Sequence, residues 1–130
     1  MIVSIYAAIL ALVYVQLSMY VVKARRKAQK AIGTGEDEGL IRAIRAHGNF
    51  IEYVPFALIL LFLNEYQGLA SHYCHLFGAA LVLGRLLHAS NIAQSNEQLK
   101  IRVVSMVLTF SVIVLLAISL LLDATLGLYL

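Results

Sequence analysis

Residues 103–122 read VVSMVLTFSVIVLLAISLLL, twenty positions without a formal charge. At 1.5 Å per residue a helix of that length covers about 30 Å, the thickness of a bilayer's hydrocarbon core. Near the other end of the chain, residues 2–22 read IVSIYAAILALVYVQLSMYVV, twenty-one more uncharged positions. Lys23, Arg25, Arg26 and Lys27 follow this run instead of preceding it, which predicts a retained anchor and not a cleaved signal peptide. Between these two stretches, Phe50–Leu63 is apolar apart from Glu52, and Leu69–Leu87 forms a further apolar run. The expectation is an all-α, integral membrane four-helix bundle forming a single domain over residues 1–130, with spans of about residues 2–22, 40–64, 69–89 and 101–122.

Composition agrees. Hydrophobic residues make up 62% of 130 and charged residues 13%, against about 45–50% and 25% in soluble domains. A soluble domain this small has too little interior to hide that much apolar surface. The net charge of +3 could point to nucleic acid, but the ten Lys and Arg residues are placed as a bilayer requires. Seven lie between Lys23 and Arg45, followed by Arg85, Lys100 and Arg102, and the link Asn64–Gly68 has none. The positive-inside rule puts that basic side in the cytoplasm and both termini outside. Membrane lipid is therefore the expected partner and nucleic acid is not. Tyr66, Tyr73 and Tyr129 suit the outer interface and Tyr20 the inner one. His72, Cys74 and His75 crowd three ligand types into four residues, a poor geometry for a metal, so no metal site is expected.

The polar residues inside the spans are costly and therefore informative. Arg42, Arg45, Asn49 and Glu52 are spaced three, four and three apart, so at 100° per residue they share an arc of about 80° on one helix face, with His47 on the other side. A charge in hydrocarbon costs at least about 2.5–3.5 kcal/mol, so Glu52 needs a partner or a wet cavity. Arg85 and His88 share a face of the third span near the same boundary, and Arg102 opens the fourth. Structural networks, snorkelling and helix capping would each account for one of these residues alone. Cations from three helices at one level point instead to a common anionic ligand, with guanidiniums matching carboxylates and Glu52 an ammonium. Pro55 leaves the carbonyl of Ile51 without its helical donor beside Glu52.

The stretch RAIRAHGNFIEYVP, residues 42–55, with its core R-A-x-x-N-x-x-E-x-x-P, resembles the signature of the MAPEG family, the membrane-associated proteins in eicosanoid and glutathione metabolism. Ala24-Arg25-Arg26 and Gly84-Arg85-Leu86-Leu87-His88 stand where that family has its supporting motifs. The resemblance implies a homotrimer of four-helix subunits with glutathione as co-substrate, bound between subunits and open to the cytoplasm. Carried over position by position, it implies that Arg45, Asn49, Glu52 and Tyr53 line the glutathione pocket and that Arg25 reaches a carboxylate of the tripeptide. Arg85 and His88 match positions lining the site in the prostaglandin-synthase branch. Arg102 resembles the family's thiolate-activating arginine, the catalytic group. The chain departs from that branch at Gly48, where an arginine is usual, and at Asn91 and Ile92, where eicosanoid-forming members have tyrosines.

The expected function is a glutathione-binding membrane enzyme that transfers the thiol to lipophilic small-molecule substrates or reduces their peroxides. The alternative is a non-catalytic lipid-binding or scaffold protein of the same fold. A transporter would need a polar track across the whole bilayer, and the charges stop near Glu52. The short loops predict a multi-pass protein of a bacterial inner membrane.

Overall fold

In the computed structural model, which describes residues 1–127, the apolar runs form four helices: α1 Val3–Ala28, α2 Glu38–Tyr66, α3 Ser71–Ile92 and α4 Leu99–Leu126. Tyr129 lies outside the described residues. Each helix outlasts its predicted apolar run, because the polar flanks continue the helical turn: α1 carries Lys23–Lys27 and α2 begins before Arg42. Asp37 caps α2, its Oδ1 accepting from Leu40 N at 2.7 Å, which satisfies one of the first-turn donors that a helix leaves unpaired. The start of α1 has no local cap. Glu65, from the far end of α2, accepts from the backbone N–H groups of Ile2 and of Val3, the latter at 2.7 Å. That carboxylate ties the first turn of α1 to the last turn of α2, fixing them antiparallel.

Short links of residues 29–37, 67–70 and 93–98 make successive helices antiparallel neighbours. Helices α2 and α3 pack on each other; α2 also touches α1 and α4, as does α3, while α1 and α4 stay apart among the described residues. Leu10, Leu61, Leu81 and Leu116 are fully enclosed where the helices meet. Asn64 donates to Leu60 O at 2.8 Å and across to Leu116 O at 3.0 Å, joining α2 to α4 inside the apolar core. Outward, Leu12, Val15, Phe56, Ile59, Val107 and Leu121 are exposed, an apolar coat that suits lipid and not water. All ten cations of the sequence lie towards one end of the bundle, where α1 and α3 finish and α2 and α4 begin.

Three helices, α1, α2 and α4, are long and apolar enough to cross a membrane. The third expected span, α3, is not among them on composition, since its 22 residues include His72, His75, Arg85 and His88. The reason is where the polar groups sit. Arg85 and His88 are buried against the other helices at 1% and 3% exposure, so their polarity is hidden from the bundle's outer surface. Glycines let α3 come close enough for this. A Cβ at Gly78 would lie 2.2 Å from Tyr6 Cδ2 of α1, and one at Gly84 would lie 3.2 Å from Ser105 O of α4, the close approach that small residues permit in membrane bundles. Tyr6, seated over Gly78, bonds His75 Nδ1 through its hydroxyl at 2.9 Å, and Cys74 is buried with its thiol 3.5 Å from Leu69 O.

Replacing Gly78 should therefore force α1 off α3. Gly78→Leu is expected to destabilise the bundle by about 1–3 kcal/mol, read as a lower melting temperature in detergent, whereas Gly48→Ala, inside α2 where an added Cβ meets nothing within 4 Å, should not lower it.

Candidate functional site

At the basic end, the polar face of α2 opens into a cavity of about 340 Å³. Arg45, Gly48, Asn49 and Glu52 line it from α2, His88 and Ile92 from α3, and Arg102 from α4. The spacing that put these α2 residues on one arc is what aims them here, and His47 points away, its Nε2 3.1 Å from Ser18 Oγ of α1 and its ring over Tyr14. Glu52 and Arg45 are both exposed. Among the described residues Glu52 makes no ion pair, and it lines the cavity.

Arg85 forms the floor beside this cavity. Its Nη1 donates to Asn49 Oδ1 at 2.8 Å, its Nη2 lies 3.5 Å from Met106 Sδ, and its guanidinium carbon stands 5.9 Å from the centroid of the Tyr53 ring. Tyr53 in turn meets Phe110 edge-on at 5.3 Å. Asn49 is thus oriented by α3: its carbonyl oxygen is committed to Arg85, which turns its amide N–H₂ group to other partners. Tyr53 supports Arg85 from the side and is not among the cavity-lining residues.

His88 is held by hydrogen-bond accounting. Ser105 Oγ lies 2.8 Å from Arg102 O, an atom that can only accept, so the single hydroxyl proton is spent there. The 3.2 Å contact between Ser105 Oγ and His88 Nδ1 then has the ring nitrogen as donor. Nε2 is left with a bare lone pair and, like Arg85 Nε, is buried without a partner. A ligand that donates a proton to Nε2 would repair that deficit.

Arg102 is set by its neighbours along the chain. Asn91, in the last turn of α3, receives Gln98 N at 2.9 Å and donates to Gln98 O at 3.1 Å, clamping the residue that starts α4 and whose carbonyl takes the Arg102 N–H at 3.2 Å. The Arg102 guanidinium meets Glu97 at 3.1 Å, and Arg42 reaches the other oxygen of Glu97 at 3.6 Å.

The site residues named from sequence therefore divide. Arg45, Asn49, Glu52, His88 and Arg102 come together, and Arg85 and Tyr53 stand directly behind them. Arg25 does not join: its Nη1 donates to Gly33 O at 2.9 Å and Lys30 O at 3.4 Å, pinning the link between α1 and α2. A guanidinium at the exit of a helix has free carbonyls within reach, and it takes them before any distant ligand. Sequence reasoning missed Glu97, Ser105 and Asn91. Ser105 sits three residues beyond Arg102, on the same helix face, and that spacing was a readable signal; Glu97 and Asn91 carried none.

Comparisons with known proteins place the chain in a family. The family model described as the MAPEG family matches residues 3–122. The chain is similar to inner membrane protein YecN of Escherichia coli strain K12, at 38% identity over 88 residues, covering 68% of this chain and 67% of the relative. The same protein name in Escherichia coli O6:H1, strain CFT073, gives the same identity and coverage. From span lengths, motif and match alike, this chain belongs to the MAPEG family.

Proposed function

We propose that this membrane protein is a glutathione-binding enzyme that joins the thiol to lipophilic electrophiles or uses it to reduce lipophilic peroxides. The observation that carries the reading is the convergence of Arg45, Asn49, Glu52, His88 and Arg102 from three helices on one cavity. Its volume falls at the small end of the range usual for small-molecule sites, about 300–1,000 Å³. Glutathione offers what the lining asks for: carboxylates for Arg45, an ammonium for Glu52, a peptide carbonyl for the Asn49 amide and a proton donor for His88 Nε2. Arg102 then stands near the sulfur, where a guanidinium in a water-poor setting favours thiolate over thiol. In conjugation the sulfur forms a bond to the electrophilic carbon as the leaving group departs, and the thiol proton exits to water at the open basic end.

Orientation and assembly belong to the same proposal. The basic end faces the cytoplasm and both termini the opposite side, with α3 crossing alongside the three apolar spans in a bacterial inner membrane. The subunits form a homotrimer. Supporting this is Glu52, exposed on the single subunit at a depth where lipid would otherwise meet it. A neighbouring copy packed there would cover the carboxylate and close the cavity, and Arg25 would serve glutathione only across that junction.

One feature favours the second reading, a lipid-presenting scaffold. An apolar groove of about 270 Å³ runs between α1 and α2, with Leu10, Tyr14, Val54 and Leu58 in its walls, a shape that accepts an acyl chain. Asn91 and Ile92, in place of tyrosines, bring no hydroxyl to the site.

Purified protein in detergent should conjugate a generic aryl halide or reduce a lipid hydroperoxide with glutathione, and Arg102→Ala should lower kcat about 100-fold; an undiminished rate removes Arg102 from its role. By calorimetry, Arg45→Ala should weaken glutathione binding about tenfold, the loss of one charge-assisted pair. No heat from the wild type at millimolar glutathione favours the scaffold instead. Native mass spectrometry should find three copies of the 14.3 kDa chain, and a monomer in mild detergent contradicts the assembly.

A further inference from the structure

A second cavity of about 340 Å³ adjoins the first at the basic end and shares Arg45, Ile92 and Arg102 with it. Arg42 adds a third guanidinium to this vestibule, and the carboxylates of Glu38 and Glu97 also line it. Only Glu97 of the two is ion-paired with the arginines, and it is paired twice: Oε1 to Arg102 at 3.1 Å and Oε2 to Arg42 at 3.6 Å. One carboxylate thus bridges two cations from different helices at the threshold of the candidate site.

Glu97 belongs to the link between α3 and α4, two residues before α4 begins. Its main chain is held next to the Asn91 clamp on Gln98, while its carboxylate is held by the two ion pairs alone. The side chains of Glu97, Arg42 and Arg102 are 22%, 27% and 48% exposed. Ion pairs this open are weak and screened by salt, so the bridge can be opened by a ligand of modest affinity.

We propose that Glu97 is a built-in counter-ion that occupies the anion position between Arg42 and Arg102, and that a ligand carrying two carboxylates displaces it on entering. The proposal rests on the glutathione reading for the identity of the ligand and on the geometry alone for the role of Glu97. A single carboxylate would exchange one ion pair for another and gain little. A dianion takes Arg42 from Glu97 with one carboxylate and engages Arg45 with the other, which frees Arg102 from Glu97 to face the sulfur. Glu97 therefore sets a charge threshold for entry, and it keeps Arg42 and Arg102 from repelling each other while the site is empty.

The test compares wild type, Glu97→Gln and Glu97→Asp in neutral detergent, with glutathione, succinate and acetate as probes, by calorimetry and thermal shift. Glu97→Gln keeps the side chain's size and removes the competing charge. It should bind succinate and glutathione about two- to fivefold more tightly, the release of one exposed ion pair, and should begin to respond to acetate. Its affinity should also fall more steeply with salt, because the cavity is one charge more positive. Glu97→Asp should restore the wild-type ranking. Tighter succinate binding with no glutathione binding by either protein upholds the role of Glu97 and removes the glutathione reading. Equal or weaker dianion binding by Glu97→Gln overturns the proposal, because Glu97 would then be only a prop for Arg102. Absence of any anion response in all three proteins overturns it as well.

Discussion

A guanidinium cannot be left in hydrocarbon without partners, and at Arg85 that constraint organises the basic half of the molecule. The side chain is 1% exposed, and its environment is assembled from three helices: Asn49 and Tyr53 on α2, Met106 on α4 and its own helix α3. None of these contacts is strong alone, yet a polar group enclosed without them would cost several kcal/mol. The helices are thereby held at one relative depth. Because Asn49 spends its carbonyl on Arg85, its amide is available on the cavity side, and a structural contact becomes an orienting one.

A second chain of contacts carries the same logic towards the surface. Ser105 spends its proton on Arg102 O and so fixes which nitrogen of His88 is bare; Asn91 clamps Gln98 and so fixes where Arg102 starts. The contact that brings His88 of α3 to Ser105 of α4 is close because Gly84 carries no side chain, and Gly78 does the same for α3 against α1. Gly48 does the reverse. Nothing lies within 4 Å of where its Cβ would be, so the absence of a side chain there leaves room in the cavity, where a long cationic residue would compete with a ligand for the same volume.

The two ends of the bundle use charge differently. At the basic end the cations surround open space, with Glu97 bridging two of them. At the other end Glu65 is absorbed into structure by the N–H groups that begin α1, and Tyr6 and His75 satisfy each other. Among the described residues, three buried side-chain atoms have no partner: Asn64 Oδ1 in the apolar core, and Arg85 Nε and His88 Nε2 towards the basic end; of these residues His88 lines the cavity, where a ligand can supply the missing donor.

Much of this was legible in the order of residues. Uncharged runs of about twenty residues set the spans, since bilayer thickness and helical rise are both constants, and the spacing of Arg45, Asn49 and Glu52 set a shared face, since the helical period is also a constant. The one-sided cations followed from the same local rules, whereas the motif at residues 42–55 was legible as a family resemblance, with which the family match agrees. What the sequence could not say is which way a polar residue on α3 faces relative to three other helices. Arg85 and His88 lower the hydropathy of their helix whether they point inward or outward, so only packing shows that α3 hides them. Likewise Arg25 is drawn to the carbonyls of Lys30 and Gly33, and Glu97 from a plain polar link reaches Arg42, far away in sequence, as well as the nearby Arg102. Partners of that kind are chosen by distance in space, and that is a property of the folded bundle.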